Sequence, residues 1–341
     1  MRELSRNERQ FFQSLVKTLE DEKCFPIALR NYEVFPDKIG HDFDLFILKE
    51  RLPDAVSQLL AITKEFTGKV VHIHERNYFL ALWIQFPDSD EAIHLDYYHG
   101  PQQWHGIDYL EVSSLIEESK LFQSSFAMRI PSAVHEATTL LLSNLLWAGR
   151  IKEKYVPKIR ELVAGEKEKK IFLSLLESAF GNEGKKLGKS LLVDETSPQL
   201  SWNDASRLRK IFVRRAFRRN TWNAFKGWVS HWRKEVSCYL HEQPGFALQI
   251  AKHDHDSGMV QQIEKALAFY FGEVVVVKKE GNFLMRWLRC LRAKGKNQLY
   301  IEVVADLSPL NLTELIKLVK ERNQKRAEKI LTIPGKAYEE S

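Results

Sequence analysis

The alternation of apolar and polar positions divides the first part of the chain into helical and extended segments. Apolar residues recur at three- and four-residue steps over residues 8–22 and 51–66, which predicts two amphipathic helices. Runs rich in β-branched and aromatic residues predict strands, namely FPIALRNY, KIGHDFDLFIL, KVVHIHE, YFLALWIQF and EAIHLDYYH. This order predicts a small α/β or α+β domain over residues 1–125.

The second part of the chain reads as a helical region followed by a smaller α/β unit. Helical periodicity covers residues 132–179, the Gly/Ser/Lys-rich segment 181–201 predicts a loop, and a basic aromatic helix is expected over 206–240. After the break HEQPG, a strand over Phe246–Ala251, a helix over Val260–Phe271 and further strand and helix patterns follow. The fold class is therefore α/β, with a helical region over 126–240 and an α/β unit over 244–335.

Composition and charge place the chain among globular proteins with one unusually basic segment. Of 341 residues, 44% are hydrophobic and 28% are charged, with a net charge of +6. Residues 204–235 contain ten Lys and Arg against two acids, a local +8, so the rest of the chain sums to 6 − 8 = −2. The N-terminus lacks an apolar signal core, no run of about 18 apolar residues exists, and the three cysteines are far apart. We expect a cytoplasmic protein.

Two neighbouring aspartates stand inside the apolar run KIGHDFDLFI. Side chains alternate between the two faces of a strand, so Asp42 and Asp44 would point the same way, with Cα atoms about 6.6 Å apart. Asp96, between apolar residues in AIHLDYYHG, is a third acid in a predicted strand. If the two strands are adjacent, the three carboxylates form an oxygen-rich site that suits Mg²⁺. The alternative is that these acids lie at strand ends in solvent.

The segments IALRNYEVFPDKIGHDFDLFI and AIHLDYYHG together resemble the nucleotidyltransferase superfamily with the DNA polymerase β-like palm. Within it, the chain is most similar to bacterial nucleotidyltransferase-like proteins of surface-polysaccharide loci. The resemblance implies that residues 1–125 are the palm, that Asp42, Asp44 and Asp96 bind Mg²⁺ or Mn²⁺, and that these acids are catalytic. It also implies transfer of a nucleoside monophosphate from an NTP to a hydroxyl or phosphate acceptor, in surface glycan biosynthesis.

The chain departs from the superfamily at the turn that precedes the first acid pair. The usual Gly-Ser or Gly-Gly turn is replaced by LRNYE, where Arg30 and Asn31 could supply a cation and an amide to the triphosphate instead. This departure favours an alternative function as a catalytically inactive scaffold that docks at a membrane surface. A further alternative is a nucleotidyltransferase that modifies RNA.

The C-terminal region resembles a thymidylate-kinase-like P-loop domain that has lost its phosphate-binding residues. A strand and a helix flank KHDHDSGM, where glycines, a Lys and a Ser or Thr would be needed to bind phosphate. Here two His-Asp pairs bring bulk and negative charge, and only Gly258 remains. We therefore interpret residues 244–335 as a degenerate remnant without phosphotransfer activity.

The basic aromatic segment allows three interpretations. One helical face carries apolar residues at three- and four-residue steps, and Arg and Lys cluster just before it; the apolar residues are Trp222, Phe225, Val229, Trp232 and Val236. The apolar face could pack on its own domain. Alternatively, residues 207–236 could bind an anionic membrane surface, at the inner face of the membrane, or nucleic acid, which we consider less favoured.

Overall fold

The computed structural model describes residues 2–30, 32–40, 42–75, 78–89, 91–122, 128–193, 201–237, 245–251, 258–267, 270–271, 273–277, 283–295, 297–304 and 311–331. They form two compact units that alternate along the chain. The first unit comprises residues 1–24, 33–98 and 233–341, and the second comprises residues 25–32 and 99–232. The predicted division into three domains stays a prediction, whereas the α/β class is confirmed by the mixture of helices with parallel and antiparallel strands.

The strands of the described residues are short, and seven of the fourteen lie in the first hundred residues. In chain order they are β1 (Arg2–Glu3), β2 (Ile27–Ala28), β3 (Lys38–Ile39), β4 (Phe43–Phe46), β5 (Lys69–Glu75), β6 (Phe79–Gln85), β7 (Ile93–Tyr98), β8 (Gln102–Trp104), β9 (Ile107–Leu110), β10 (Lys120–Phe122), β11 (Met128–Ile130), β12 (Phe246–Ala251), β13 (Glu273–Val277) and β14 (Gln298–Val304).

The helices dominate the middle and the C-terminal part of the chain. In chain order they are α1 (Arg6–Asp21), α2 (Leu52–Glu65), α3 (Val112–Glu117), α4 (Ala133–Ser143), α5 (Val156–Leu162), α6 (Glu166–Phe180), α7 (Asn182–Val193), α8 (Trp202–Arg219), α9 (Thr221–Ser237), α10 (Met259–Leu267), α11 (Phe283–Gly295) and α12 (Leu312–Leu331). A π-helical turn at Asn144–Ala148 extends α4, and single 3₁₀ turns precede α2 and α5.

In the first unit, β4, β7, β6 and β5 are neighbours in that order, with β4 parallel to β7 and the other pairs antiparallel. Helix α1 begins at a capping box, because the Ser5 hydroxyl accepts from the Glu8 amide while the Glu8 carboxylate accepts from the Ser5 amide. Its apolar stripe, which includes Phe11, Phe12 and Leu15, is fully buried. This burial anchors α1, which packs on α2.

The prediction of one continuous strand over residues 38–48 is wrong. Residues Lys38–Ile39 pair with β1, whereas Phe43–Phe46 pair with β7, so the two pieces belong to different sheets. The chain changes partner between them, and Asp42 therefore precedes β4 instead of lying inside a strand. Asp44 is the second residue of β4.

The C-terminal part of the first unit contains a second sheet, in the order β12-β14-β13, with all strands parallel. The strand predicted over Phe246–Ala251 is confirmed. The apolar core between this sheet and its helices includes Trp83 of β6. One polar contact is buried in the same region, where Nε2 of His72 lies 2.7 Å from Oδ1 of Asn297. The C-terminal sheet and β5–β6 thus share one core.

The second unit is built around a helical core formed by α4 to α8. The loop predicted over residues 181–201 is wrong for its first half, because α7 covers Asn182–Val193. The glycines that suggested a loop are packing positions: a Cβ on Gly184 would lie 2.1 Å from the carbonyl oxygen of Leu176 in α6. Gly184 and Gly188 therefore let α7 approach α6 closely, while residues 194–200 lie outside the described part of the chain.

The single helix predicted over residues 206–240 is also wrong. Helix α8 ends at Arg219, Asn220 leaves the helical conformation, and α9 begins at Thr221. The Asn220 side chain accepts a hydrogen bond from the amide of Asn223, which favours a new helix start. In the described part of the chain, no helix combines the length and the apolar character that crossing a bilayer would require.

Candidate metal centre

Three aspartates of the first unit converge at the junction of β4 and β7. The parallel pairing of these strands places Asp44 directly opposite Asp96, and Asp42 stands two residues before Asp44. One carboxylate oxygen from each of these three residues lies within 4.8 Å of the other two. The roles predicted for these acids, as metal ligands and as catalytic residues, stay predictions that this geometry supports.

The burial of these acids makes their convergence costly without a cation. Asp44 is 1% exposed and Asp96 is 6% exposed, whereas Asp42 is partly exposed. Neighbouring carboxylates repel each other, and burial deprives them of water. A divalent cation among the three oxygens would offset both costs, and carboxylate oxygens are the ligands that Mg²⁺ and Mn²⁺ prefer. The donor set therefore fits these ions.

This group is distinctive within the described residues. It is the one set of three or more His, Cys, Asp or Glu side chains whose ligand atoms come together in that part of the chain. His72, which shares β5 with His74, instead contacts Asn297 in the buried core. The structure thus brings together the three acids that the sequence singled out.

His94 of β7 is a basic residue in contact with one of the acids. Its Nε2 atom lies 2.8 Å from Oδ1 of Asp96. Burial opposes protonation of His94, but the carboxylates of Asp96, then Asp42 and Asp44, outweigh burial and raise the pKa of His94 above its usual value. The field of the three acids therefore favours the protonated form of this partly exposed imidazole.

Trp83 of β6 supports His94 from the neighbouring strand. Trp83 and His94 are register partners, and their rings stack with centroids 4.0 Å apart at an interplanar angle of 14°. Trp83 also contacts His72 edge-on, at 4.9 Å between ring centroids. Sequence reasoning missed Trp83, although the antiparallel pairing of YFLALWIQF with EAIHLDYYH would have placed it beside His94. A series of ring contacts thus connects the acids to the shared core.

The two residues predicted to bind the triphosphate are described only in part. Arg30 follows β2 in the second unit and is partly exposed. Asn31 lies outside the described residues. A contact of either residue with phosphate stays a prediction.

The strand and the helix that were predicted on either side of the segment KHDHDSGM are both present. Strand β12 and helix α10 flank the segment, and Gly258 has a φ of +84°, a conformation that glycine adopts readily. The two His-Asp pairs, at residues 253–256, lie outside the described residues. The inactivity of this region stays a prediction.

The basic aromatic segment does not bury its apolar face. All five apolar residues of the predicted face are exposed, from 42% at Val229 to 70% at Trp222. The interpretation that this face packs on its own domain is therefore wrong. The inward face of α9 carries Ala224 and His231 instead, which are both buried.

Comparisons with known proteins add little to this description. No family model matches the chain, and no curated protein matches it. Among solved structures, the chain is similar to JHP933 from Helicobacter pylori, with 15% identity over 65% of this chain and 99% of that chain and a TM-score of 0.31. It is also similar to a candidate nucleotidyltransferase from H. pylori, with 13% identity over 64% of this chain and 99% of that chain and a TM-score of 0.32. At these TM-scores, the functional argument depends on the geometry of the site itself.

Proposed function

We propose that this protein is a metal-dependent nucleotidyltransferase that uses Mg²⁺ or Mn²⁺. The observation that carries the proposal is the convergence of Asp42, Asp44 and Asp96, with one oxygen of each within 4.8 Å of the others. Two of these carboxylates are buried, and buried like charges persist only where something compensates them. Divalent cations bound at this site would polarise the attacking oxygen and offset the charge of the leaving pyrophosphate.

In the proposed reaction, a hydroxyl or phosphate oxygen of the acceptor attacks the α-phosphorus of an NTP. The new bond joins that oxygen to the α-phosphorus, the bond between the α-phosphorus and the bridging oxygen to the β-phosphate breaks, and pyrophosphate leaves. Asp42 and Asp44 would hold the cations, while Asp96 would complete the ligand set and favour removal of the acceptor proton. Such transfers depend mainly on position and electrostatics, so three well-placed acids can suffice.

The substrates follow from the resemblance described above. We propose that the acceptor belongs to surface glycan biosynthesis, and that Arg30 and Asn31 contact the triphosphate in place of the usual Gly-Ser turn. Arg suits this role because its guanidinium matches the geometry of phosphate oxygens. The competing function, an inactive scaffold, predicts that the protein binds no NTP at all.

The test is titration calorimetry of the folded protein with Mn²⁺ and each non-hydrolysable NTP, followed by a pyrophosphate-release assay with candidate acceptors. We expect NTP binding that depends on Mn²⁺ and that Asp44→Asn or Asp96→Asn reduces at least tenfold, with a corresponding loss of pyrophosphate release. Glu65→Gln, an exposed acid on α2, is the matched control and should behave as the unaltered protein. Absence of binding for every NTP would favour the scaffold.

An RNA acceptor is a second candidate, favoured by one feature of the second unit. Helix α8 and Trp104 line an open groove of about 800 Å³ that combines aromatic rings with basic side chains. The residues that α8 contributes include Arg209, Lys210, Arg214, Phe217 and Arg218. Basic groups bind phosphates and aromatic rings stack on bases. If RNA is the acceptor, nucleotide addition to RNA should be reduced by Arg214→Ala/Arg218→Ala, whereas addition to a glycan acceptor should not.

A further inference from the structure

Helix α11 exposes large apolar side chains on one continuous face. Leu284 is 59% exposed, Trp287 is 51% exposed and Leu288 is 46% exposed. Their spacing of three and four residues places them on the same side of the helix. An amphipathic helix of a globular protein normally directs such a face toward the core, so this outward orientation requires a separate explanation.

The opposite face of α11 is the one that packs against the protein. Ala293 is buried, and α11 contacts β12 and β14. Arg286 forms an ion pair with Glu302 of β14, with Nε and Oε1 2.7 Å apart. Because this inward face fixes the orientation of the helix, the exposure of Trp287 and Leu288 follows from the fold itself.

The charged residues of α11 itself are all basic. Residues 283–295 contain four basic residues and no acid. Arg289 interacts with Tyr300 of β14, whereas Arg292 is exposed beside the apolar residues. A helix with an exposed Trp and Leu face and basic flanks is typical of segments that lie in the interface of an anionic bilayer.

Helix α9 repeats the same arrangement. Its outward face exposes three tryptophans together with Phe225 and Val229, and Lys226 is exposed on the same helix; the tryptophans are Trp222, Trp228 and Trp232. Its inward face is held by Gly227, whose Cβ, if one were added, would lie 2.0 Å from the carbonyl oxygen of Gly106. The helix cannot turn its apolar face inward without losing this close contact.

We propose that this protein docks on an anionic bilayer surface, and that α11 is a lipid-contacting helix in addition to α9. Tryptophan side chains favour the bilayer interface, and basic residues near anionic headgroups each contribute about 1 kcal/mol. The proposal does not depend on nucleotidyl transfer, because α9 and α11 carry none of the three acids.

Two other occupants fit the two faces less well. Leu284, Leu288 and Val229 are aliphatic and cannot stack on bases, so nucleic acid would leave much of the apolar surface without a partner. A symmetric pairing of α11 with its copy in a second chain would bring the same patch together, and α11 has no acid to pair with the basic residues of the copy. An anionic lipid surface satisfies the apolar and the basic groups together.

The test is flotation of the purified full-length protein with phosphatidylcholine vesicles that either contain or lack phosphatidylglycerol. We expect binding to the anionic vesicles alone. Trp287→Ala/Leu288→Ala and Trp222→Ala/Trp232→Ala should each weaken partitioning about tenfold or more, because each removes two large apolar contacts. Leu318→Ala is the control, since Leu318 is an exposed apolar residue on α12 and should have no effect.

Light scattering measures the oligomeric state of each variant, and a binding assay with a single-stranded oligonucleotide tests nucleic acid as the alternative partner. These substitutions are at exposed positions, so circular dichroism should show an unchanged fold, and NTP binding in solution should also be unchanged. Equal binding to both kinds of vesicle, or no effect of either double substitution, would overturn the proposal. The proposal would also be overturned if light scattering showed that Trp287→Ala/Leu288→Ala converts a dimer into a monomer. A third contrary outcome is that this double substitution abolishes binding to a single-stranded oligonucleotide while binding to vesicles is retained.

Discussion

Asp44 and Asp96 face each other across the parallel pairing of β4 and β7, and both are buried. The carboxylate of Asp42 joins them, with one oxygen from each residue within 4.8 Å of the others. This arrangement raises the energy of the folded state without cations and lowers it when cations bind. Its effect on stability should therefore reverse sign with the metal content of the solution.

The first prediction concerns Asp44→Asn. Without divalent cations, the substitution removes a like charge opposite Asp96, so we expect it to stabilise the protein by about 1 kcal/mol. With Mn²⁺ present, the unaltered protein should gain stability through binding and the variant should gain much less. Thermal unfolding of both proteins, in EDTA and in Mn²⁺, measures the two effects.

The control for this prediction is Glu65→Gln, an exposed acid in the same unit. Its thermal midpoint in EDTA should be close to that of the unaltered protein, and Mn²⁺ should raise the midpoint of both proteins by the same amount. If Asp44→Asn lowered the midpoint in EDTA and left the gain in Mn²⁺ intact, the three acids would have a structural role without a metal.

The second prediction concerns the buried His72. Burial, reinforced by the positive charge of Arg326, lowers the pKa of His72 to about 3. Between that value and the ordinary His pKa of about 6.5, the unfolded state binds a proton that the folded state does not, so stability rises with pH across this window. From neutral pH to about pH 5, His72 should therefore cost about 2 kcal/mol of stability.

Urea unfolding at neutral pH and near pH 5 measures this cost. His72→Gln keeps a neutral polar side chain that can still reach Asn297, so the variant should lose about 2 kcal/mol less than the unaltered protein over this pH change. The comparison of the two pH profiles isolates His72 from the other titrating groups. Identical pH dependence in both proteins would show that His72 becomes protonated in the folded state.

The sequence was sufficient to identify the three acids, although for a partly incorrect reason. We predicted that Asp42 and Asp44 share a face of one strand, but β4 begins at Phe43 and Asp42 precedes it. The acids converge nevertheless, because the register of β4 and β7 places Asp44 opposite Asp96. Register depends on long-range pairing, so alternation along one strand could indicate the acids but not their contact.

The failures have a common physical origin in contacts that local patterns do not show. Gly184 and Gly188 read as loop residues, yet they are where α7 approaches α6. Helix α11 was not predicted, because an arginine or lysine interrupts its apolar residues at short intervals and its apolar face points outward. The outward face of α9 could not be distinguished from a core face, because both have the same periodicity.

The third prediction follows from the role of Gly184. Alanine improves intrinsic helix propensity by about 1 kcal/mol, but its Cβ would lie 2.1 Å from the backbone oxygen of Leu176. Backbone cannot rotate away as a flexible side chain can, so α6 and α7 must separate. We expect Gly184→Ala to destabilise the protein by about 1 to 2 kcal/mol, measured as the midpoint of urea unfolding.

Lys189→Ala is the matched control on the same helix, because Lys189 is exposed. Lys and Ala have similar helix propensities and this substitution creates no clash, so its midpoint should be close to that of the unaltered protein. A Gly184→Ala variant that was as stable as Lys189→Ala would indicate that α7 does not pack closely on α6.

The last prediction concerns Trp83, which positions His94. The Trp83 ring stacks on His94, and His94 contacts Asp96, so Trp83→Leu would let the imidazole and then the carboxylate move. Residues that orient a metal ligand typically contribute ten- to hundredfold to metal affinity. We expect Trp83→Leu to weaken Mn²⁺ binding about tenfold, measured by calorimetric titration of the purified protein.

Two comparisons separate this positioning role from general destabilisation. Trp287→Ala removes an exposed tryptophan in the same unit and should leave Mn²⁺ affinity unchanged. Asn297→Ala perturbs the shared core through His72 and leaves the Trp83 and His94 residues themselves unaltered. The substitution should therefore lower the midpoint of urea unfolding. It should change the affinity for Mn²⁺ by no more than about twofold, which is less than the loss of a positioning residue typically causes. If Asn297→Ala weakened Mn²⁺ binding as much as Trp83→Leu, loss of the shared core would explain both effects. If only Trp83→Leu weakened it, the stacked pair of Trp83 and His94 would be the element that holds Asp96 in place for the metal.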